Sequence, residues 1–240
     1  MKKNKSFSIF IPIKKVSRRV VEKNTKKINK FKLGLTEIKI KQLEKFRYQI
    51  KKDNVLKNFF FEYVISSDDL KIKKFLKNYP WIKFNNRPKK LAKDDCLEDL
   101  IKHVPKICKG ELILWTHVTS PLFNHLSYIK FIKKFLENKK NFDSAFTASP
   151  ISSFIYNKSK KKWLSHNRAT NKWPRTQDLD KIYSVNNAAF VSKRETYTKL
   201  KDRIGNKPFP FESYENLNEI FDIDNKKDFN DFQKKFTNRI

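Results

Sequence analysis

Three residue types are scarce in this 240-residue chain: glycine occurs three times, cysteine twice and methionine once. Acids are also outnumbered, 25 against 55 lysines and arginines. Two thiols do not make a disulfide framework, and Cys96 and Cys108 lack the CxxC spacing of a metal knuckle. A reducing, cytoplasmic setting is the simplest expectation. No run approaches the ~20 apolar residues of a membrane helix. The opening "MKKNKSFSIFIPIKK" has the charge order of a signal peptide, but its short apolar run holds Ser8 and Pro12, and no small-residue cleavage site follows. Glycine is rare while Lys, Asn, Ile and Phe abound throughout. Base bias in an AT-rich coding sequence produces that pattern, so most of the lysines need no ligand to explain them.

What is present supports a folded core. Hydrophobic residues make up 38% and aromatics 14%, with 22 Phe, too apolar for a disordered basic tail. The formal charge of +30 attracts polyanions such as nucleic acid, nucleotides and acidic membranes. The informative cations are those beside phosphate-type motifs.

Strand and helix signals alternate. Strands are expected at Phe7–Ile13, Phe59–Ser67, "WIKFNNRP", Glu111–Val118, "FDSAFTAS", "YSVNNAAFVS" and "EIFDID". Helices are expected at Thr36–Lys52 with Thr36 as N-cap, at Asp68–Tyr79, and at "CLEDLIKHVPKI" with Pro105 ending or kinking it. Two more are expected at Asn124–Asn138 and "NKKDFNDFQKKF", the last capped by Asn225. This order predicts a single α/β domain over 1–240: three layers around a mainly parallel, nucleotide-binding sheet, with a polar excursion at about 152–182. Ligands of such sheets lie beyond the carboxyl ends of the strands, here the loops after Ile13, Ser67, Val118 and Asp224.

The loop after the first strand, "IPIKKVSRRVVEKN", carries Lys14, Lys15, Arg18, Arg19 and Lys23. Its place and charge suit an anion cradle, with Ser17 as a hydroxyl donor; charge alone would equally suit a solvated surface. The residues also resemble a known family, the CMP-sugar synthetases, cytidylyltransferases that activate acylneuraminate and related 2-keto sugar acids. The family pattern I-P-x-R-x-G-S-x-R-x-x-x-K-N is met by Ile11, Pro12, Lys14, Ser17, Arg19, Lys23 and Asn24. "RPKKLAKDD" resembles R-P-x-x-L-A-x-D, "HVTSPL" resembles Q-P-T-S-P-L, and "WPRTQDLDKIYSVNNAAF" resembles R-x-Q-D-L-x-x-x-Y-x-x-N-x-A. "FDIDNKKDF" resembles the closing D-I-D strand and helix. Five ordered segments span nearly the whole chain.

The resemblance implies transfer of CMP from CTP to the anomeric hydroxyl of a 2-keto sugar acid, releasing pyrophosphate. It implies Lys23, Asp224 and Arg175 in catalysis, Lys14, Ser17, Arg19, Asn24 and Arg87 around the nucleotide, and His117, Gln177 and Asn186 around the sugar. It further implies Mg²⁺ on Asp222 and Asp224, and a homodimer whose excursion, flanked by Trp163 and Trp173, reaches the neighbouring site. Strand alternation would put both aspartates on one face with Ile223 inward; the competing reading makes one acid a helix cap. His117 would contact the sugar, assist proton removal or serve structure.

Departures from the pattern are Val16 where the family has Gly, Lys14 for Arg, His117 for Gln and Phe123 for Arg. A β-branched residue tolerates positive φ badly, which motivates a non-catalytic relative as one alternative. A nucleotidyltransferase acting on another sugar or a sugar phosphate is a second, and a nucleic-acid-binding protein a third. No nucleic-acid module is recognised, and lysines lie on most helices rather than on one face.

Overall fold

The computed structural model describes residues 5–93, 95–212 and 221–235. In chain order the elements are β1 (Ser6–Ile13), α1 (Gly34–Ile50), β2 (Phe60–Ser67), α2 (Leu70–Phe75), β3 (Ile82–Asn86), α3 (Leu97–Ile107), β4 (Leu112–Thr116) and α4 (His125–Asn138). There follow β5 (Ser144–Ile151), the two-residue strands β6 (Tyr156–Asn157) and β7 (Lys162–Trp163), β8 (Ile182–Lys193), α5 (Arg194–Lys199), β9 (Pro208–Glu212) and α6 (Lys226–Lys235).

Seven strands form one sheet in the order β3-β2-β1-β4-β8-β5-β9. Every pairing is parallel except the two that β8 makes, with β4 and β5. The central strands β1 and β4 are buried on both faces, so they read as continuous apolar runs. Phe7, Ile9, Ile11 and Ile13 of β1 enter one core with α1, α2, α4 and α6. Phe10 turns the other way, into a second core with α3 and α5. In register, Phe10 lies beside Val64 and Trp115, and Trp115 beside Phe190. This row of large side chains floors the α3–α5 side. The three-layer α/β expectation holds, with β4 as the middle strand.

Three local expectations are corrected. Thr36 is not the cap of α1: Leu33 precedes the helix, and Thr36 sits inside its first turn, where its hydroxyl donates to the Asn24 carbonyl at 2.7 Å. Pro105 does not end α3, which continues to Ile107. The ring lies in the last turn and forfeits one backbone bond there, but the turn is held otherwise: Arg194 Nε donates to the Pro105 carbonyl, and Cys108 N–H closes on Val104. The late strand is absent at Phe221–Asp224, which lies in no strand; the Glu219–Ile220 part lies outside the described residues. Asn225 does cap α6. Its Oδ1 accepts from Asp228 N–H at 3.0 Å, and the Asp228 carboxylate accepts from the Asn225 N–H in return.

Gly34 occupies a position open to little else. It has φ +51°, and a Cβ there would lie 2.0 Å from the Lys26 carbonyl oxygen. The segment between β1 and α1 therefore folds back against the start of α1, which fixes the loop that follows β1.

Candidate active site

The carboxyl rim of β1, β3 and β4 holds a cleft of about 630 Å³. Lys14, Ser17, Arg19, Lys23 and Asn24 line it from the opening loop. Arg87 comes from the end of β3, His117 from the end of β4, and Asp224 from the segment before α6. Eight of the residues singled out in the sequence thus converge. Arg175, Gln177, Asn186 and Asp222 do not line the cleft.

The opening loop reaches its shape without glycine because its backbone is tied from below. Asn24 is the hub. Its Nδ2 donates to the Lys14 carbonyl at 2.9 Å, while its own carbonyl accepts from both the N–H and the hydroxyl of Thr36. Asp68, just past β2, accepts from Lys15 N–H at 2.8 Å. The left-handed residue of the loop's tight turn is Glu22, φ 49°, whose carboxylate pairs with Lys71 at 2.8 Å. Val16 is not in the left-handed region, and its side chain is 69% exposed. The valine therefore meets no φ penalty where the family carries glycine.

Lys23 ties the loop to the far end of the chain. Its ammonium donates to the Ile223 carbonyl at 2.6 Å. Burial pulls its pKa down, while Asp222 and Asp224 oppose the shift. Lys14 is also lowered, first by burial and then by Arg18. Two cations that are partly desolvated, and crowded by others, hold anions more strongly than the same charges in open water. The segment bearing the aspartates is zipped to the turn after β4, with Ile223 N–H donating to the Thr119 carbonyl at 2.9 Å. Ile223 is fully buried, so the aspartates flank it on the outer side without a strand to alternate them. Ser120 Oγ donates to Asp222 at 3.4 Å, and Arg19 meets Asp224 at 3.0 Å with both side chains largely exposed.

Arg87 is buried, and its Nε and Nη2 donate to the hydroxyl and carbonyl of Ser66. Burial lowers its pKa to about 10. Among the matched "RPKKLAKDD" residues, Leu91 and Lys93 also border the cleft, whereas Asp94 lies outside the described residues.

His117 is defined by its neighbour. The indole N–H of Trp115 donates to His117 Nε2 at 2.9 Å. An indole can only donate, so Nε2 must accept and the proton of the neutral ring sits on Nδ1. Burial, with the fields of Arg203, Lys39 and Lys23, pushes the pKa to about 3. His117 thus offers the cleft an N–H donor. It is not a base, because its one lone pair is already engaged.

The excursion is arranged differently. Between β5 and β8 it forms the small β6–β7 hairpin and a short 3₁₀ turn at Thr176–Asp178. Trp163 packs edge-on against Trp173 (5.8 Å) and beside His166, with Phe154 against all three. Arg175 is 75% exposed and paired with Asp178 at 2.9 Å. Gln177 is exposed. Asn186 is half-buried in β8, opposite the register shift between Phe146 and Ala148, where its carbonyl accepts from Thr147. Phe123 is a core residue against Tyr128 and Phe131.

Sequence reasoning missed Lys39 and Arg203. Lys39 is fully buried in α1. Its ammonium donates to the carbonyls of Ser120 and Phe123 at 3.2 Å each and to the Tyr128 hydroxyl at 2.8 Å. Burial lowers its pKa to about 7. Beside it, Gln42 Nε2 donates to the Pro121 carbonyl at 2.6 Å. A signal existed: Lys39 and Gln42 fall on the stripe of Leu35, Leu43 and Phe46, where polar residues must have partners. Together they clamp the Thr119–Phe123 turn that carries the aspartate segment.

No protein-family model matches this sequence, and no curated protein matches it. Solved structures do match its fold. A CMP:2-keto-3-deoxy-manno-octonic acid synthetase complexed with CTP superimposes with a TM-score of 0.61 at 12% identity, over 98% of this chain and 100% of that one. The 4-diphosphocytidyl-2C-methyl-D-erythritol synthase of Anaerococcus prevotii gives 0.58 at 12% identity, over 95% and 96%. The 2-C-methyl-D-erythritol 4-phosphate cytidylyltransferase of Francisella tularensis gives 0.58 at 14%, over 95% and 99%. The chain has the fold that these proteins share.

Proposed function

We propose that this protein is a CTP-using nucleotidyltransferase that moves CMP onto the anomeric hydroxyl of a 2-keto sugar acid and releases pyrophosphate. The observation that carries this reading is the meeting of Lys23 with the Ile223 carbonyl. That bond brings the cation-rich loop and the aspartate segment to one cleft from opposite ends of the chain. The fold shared with a synthetase complexed with CTP agrees with it.

In this scheme the acceptor hydroxyl attacks the α-phosphorus, a P–O bond forms, the hydroxyl proton passes to water, and the bond to the β-phosphate breaks as pyrophosphate leaves. Charge grows on phosphoryl oxygens, so fixed cations supply most of the rate. Lys14, Arg19 and the Ser17 hydroxyl hold the triphosphate, and Lys23 faces the charge developing at the α-phosphate. Arg87, its fork half-spent on Ser66, and Asn24, whose buried Oδ1 has no donor among the described residues, address the nucleoside.

Asp224, which lines the cleft, would hold Mg²⁺, with Asp222 set behind it on Ser120 as the second carboxylate of the segment. Both are hard oxygen donors whose fields act on Lys23. That suits a cation that takes one or two carboxylates and completes its sphere with phosphates and water. When bound, the ion would neutralise phosphate charge.

The test is CTP-dependent pyrophosphate release across a panel of 2-keto sugar acids, with Asp224→Ala as the control. Turnover with at least one acid is expected, lost in the variant while folding is kept. Release with none, at saturating CTP and Mg²⁺, refutes the reading. A sugar-phosphate acceptor is the second reading, favoured by the nearly equal likeness to the erythritol phosphate enzymes. Adding such phosphates to the panel separates the two.

A further inference from the structure

We propose that Arg203 and His117 together form the subsite that holds the acceptor's anionic group, a carboxylate or a phosphate. This rests on the nucleotidyltransferase reading and deepens it by naming where the second substrate is gripped.

Arg203 lies beyond α5, on the α3–α5 side of the sheet. Its guanidinium stands 3.7 Å from the centre of the Phe190 ring and 5.1 Å from that of Trp115. It is partly buried, and that burial lowers its pKa against the opposing fields of Tyr197 and Asp202. A guanidinium carries five N–H donors, yet no side chain or carbonyl among the described residues accepts from it. The nearest carboxylate in sequence, Asp202, spends its Oδ1 on the backbone N–H groups of Arg203 and Ile204. Stacking on aromatic faces orients the fork and satisfies none of its hydrogen bonds. Arg203 does not itself line the cleft, but it lies against Trp115, which does, and although Asp202 and Tyr197 act on its charge, its fork keeps donors turned to no protein acceptor among the described residues.

His117 supplies the complement. Its ring centre is 6.1 Å from that of Trp115 and 6.5 Å from that of Phe190, the two rings that Arg203 covers. With Nε2 accepting from Trp115, its remaining polar atom is the Nδ1–H donor. His117 borders the cleft and feels both Arg203 and Lys23. An acceptor spanning from the phosphate cradle toward Phe190 would therefore put its anion between an imidazole N–H and a guanidinium. In a 2-keto acid the carboxylate is bonded to the carbon that carries the attacking hydroxyl, so gripping that carboxylate also aims the nucleophile. Arg175 is less suited to the task, since its fork is already closed on Asp178 in open solvent.

The experiment titrates the full-length wild-type protein, Arg203→Met and Arg203→Lys with 3-deoxy-manno-octulosonate, N-acetylneuraminate and 2-C-methyl-D-erythritol 4-phosphate. Each is run by calorimetry with and without a non-hydrolysable CTP analogue, and melting temperature is followed throughout. At least one acceptor should bind the wild type, weaken by about tenfold or more in Arg203→Met, and recover only in part in Arg203→Lys, which returns the charge without the fork. Affinity for the CTP analogue should stay within about twofold across all three proteins. Weakening confined to the sugar acids assigns a carboxylate subsite, and weakening confined to the erythritol phosphate assigns a phosphate subsite. Three outcomes overturn the proposal: unchanged acceptor affinity in Arg203→Met, an equal fall in nucleotide affinity that marks Arg203 as structural, or no acceptor bound by the wild type in either condition. Failure of the wild type to bind the nucleotide, with acceptors still bound and sensitive to Arg203, would instead sink the nucleotidyltransferase reading and leave the subsite standing.

Discussion

The cleft and the excursion carry comparable motif residues in different settings. In the cleft, the cations belong to loops bonded to the scaffold through backbone or side chain: Asn24 carbonyl to Thr36, Lys15 N–H to Asp68, the Arg87 guanidinium to Ser66, the Lys23 ammonium to Ile223. Burial shifts the pKa of Lys14, Lys23 and Arg87 downward. In the excursion, Arg175 pairs with a residue three positions away, and the aromatic cluster packs largely on itself. One half of the candidate site is preorganised by the core, and the other is hung outside it. Preorganised charge is what phosphoryl transfer rewards.

The largest effects should therefore fall on the preorganised half. Lys23→Met should lower kcat by about 100-fold or more with CTP and its acceptor, the scale of losing one fixed charge-stabilising donor. Its melting temperature should fall by no more than a few degrees, the cost of leaving the Ile223 carbonyl without its donor. Steady-state kinetics alongside a melting curve check both. A loss below about fivefold would erase the contrast with the excursion.

Next comes the clamp beneath the cleft. Lys39→Met strands the Ser120 and Phe123 carbonyls, each lost partner costing about 1–3 kcal/mol. The sign with pH follows from linkage. With a folded pKa of about 7 against an ordinary 10.5, the unfolded state binds more protons between those values. The wild type therefore gains stability as pH rises through that window, and the Met variant lacks the gain. Denaturant midpoints at pH 7 and pH 9.5 should show a gap that widens with pH. A constant gap would mean that Lys39 keeps its ordinary proton affinity.

How much of this was legible depends on which interactions are local. The strand ends were readable because apolar runs stop at polar loops, and the loop cations because they sit at such a stop. Asn225 was readable as a cap, since capping spans only three residues. Thr36 was misread for the opposite reason: its partner is Asn24, across a turn. The strand expected at the aspartates failed because Ile223 is anchored by Thr119 and Lys23, not by a sheet ladder. Arg203 carried no signal, because its neighbours Trp115 and Phe190 come from distant strands.

His117 sharpens the comparison through the shape of a pH profile rather than its height. With its pKa lowered to about 3, the ring stays neutral from pH 5 to 8, so the pH dependence of kcat/KM across that range should keep its shape in His117→Gln. A limb near pH 6.5 that vanishes in the variant would restore the imidazole as a base. On stability the sign is fixed too. The folded pKa lies below the unfolded value, so this group's contribution is present above pH 6.5 and is lost as pH falls toward 3.

The smallest effect belongs to the residue that the resemblance ranked among the catalytic ones. Arg175 stands in open solvent with Asp178 as its partner, and exposed pairs of this kind contribute about 0–1 kcal/mol. With the acceptor's anion held by Arg203, Arg175→Ala should lower kcat/KM by less than about fivefold, the factor that 1 kcal/mol commands. A loss of about 30-fold or more would require the excursion to fold over a cleft, its own or that of a second copy. Mixing Arg175→Ala with Lys23→Met chains then separates the two. Activity restored in the mixture would mean that one chain's excursion completes another chain's cradle, whereas no restoration would mean that each chain closes on itself.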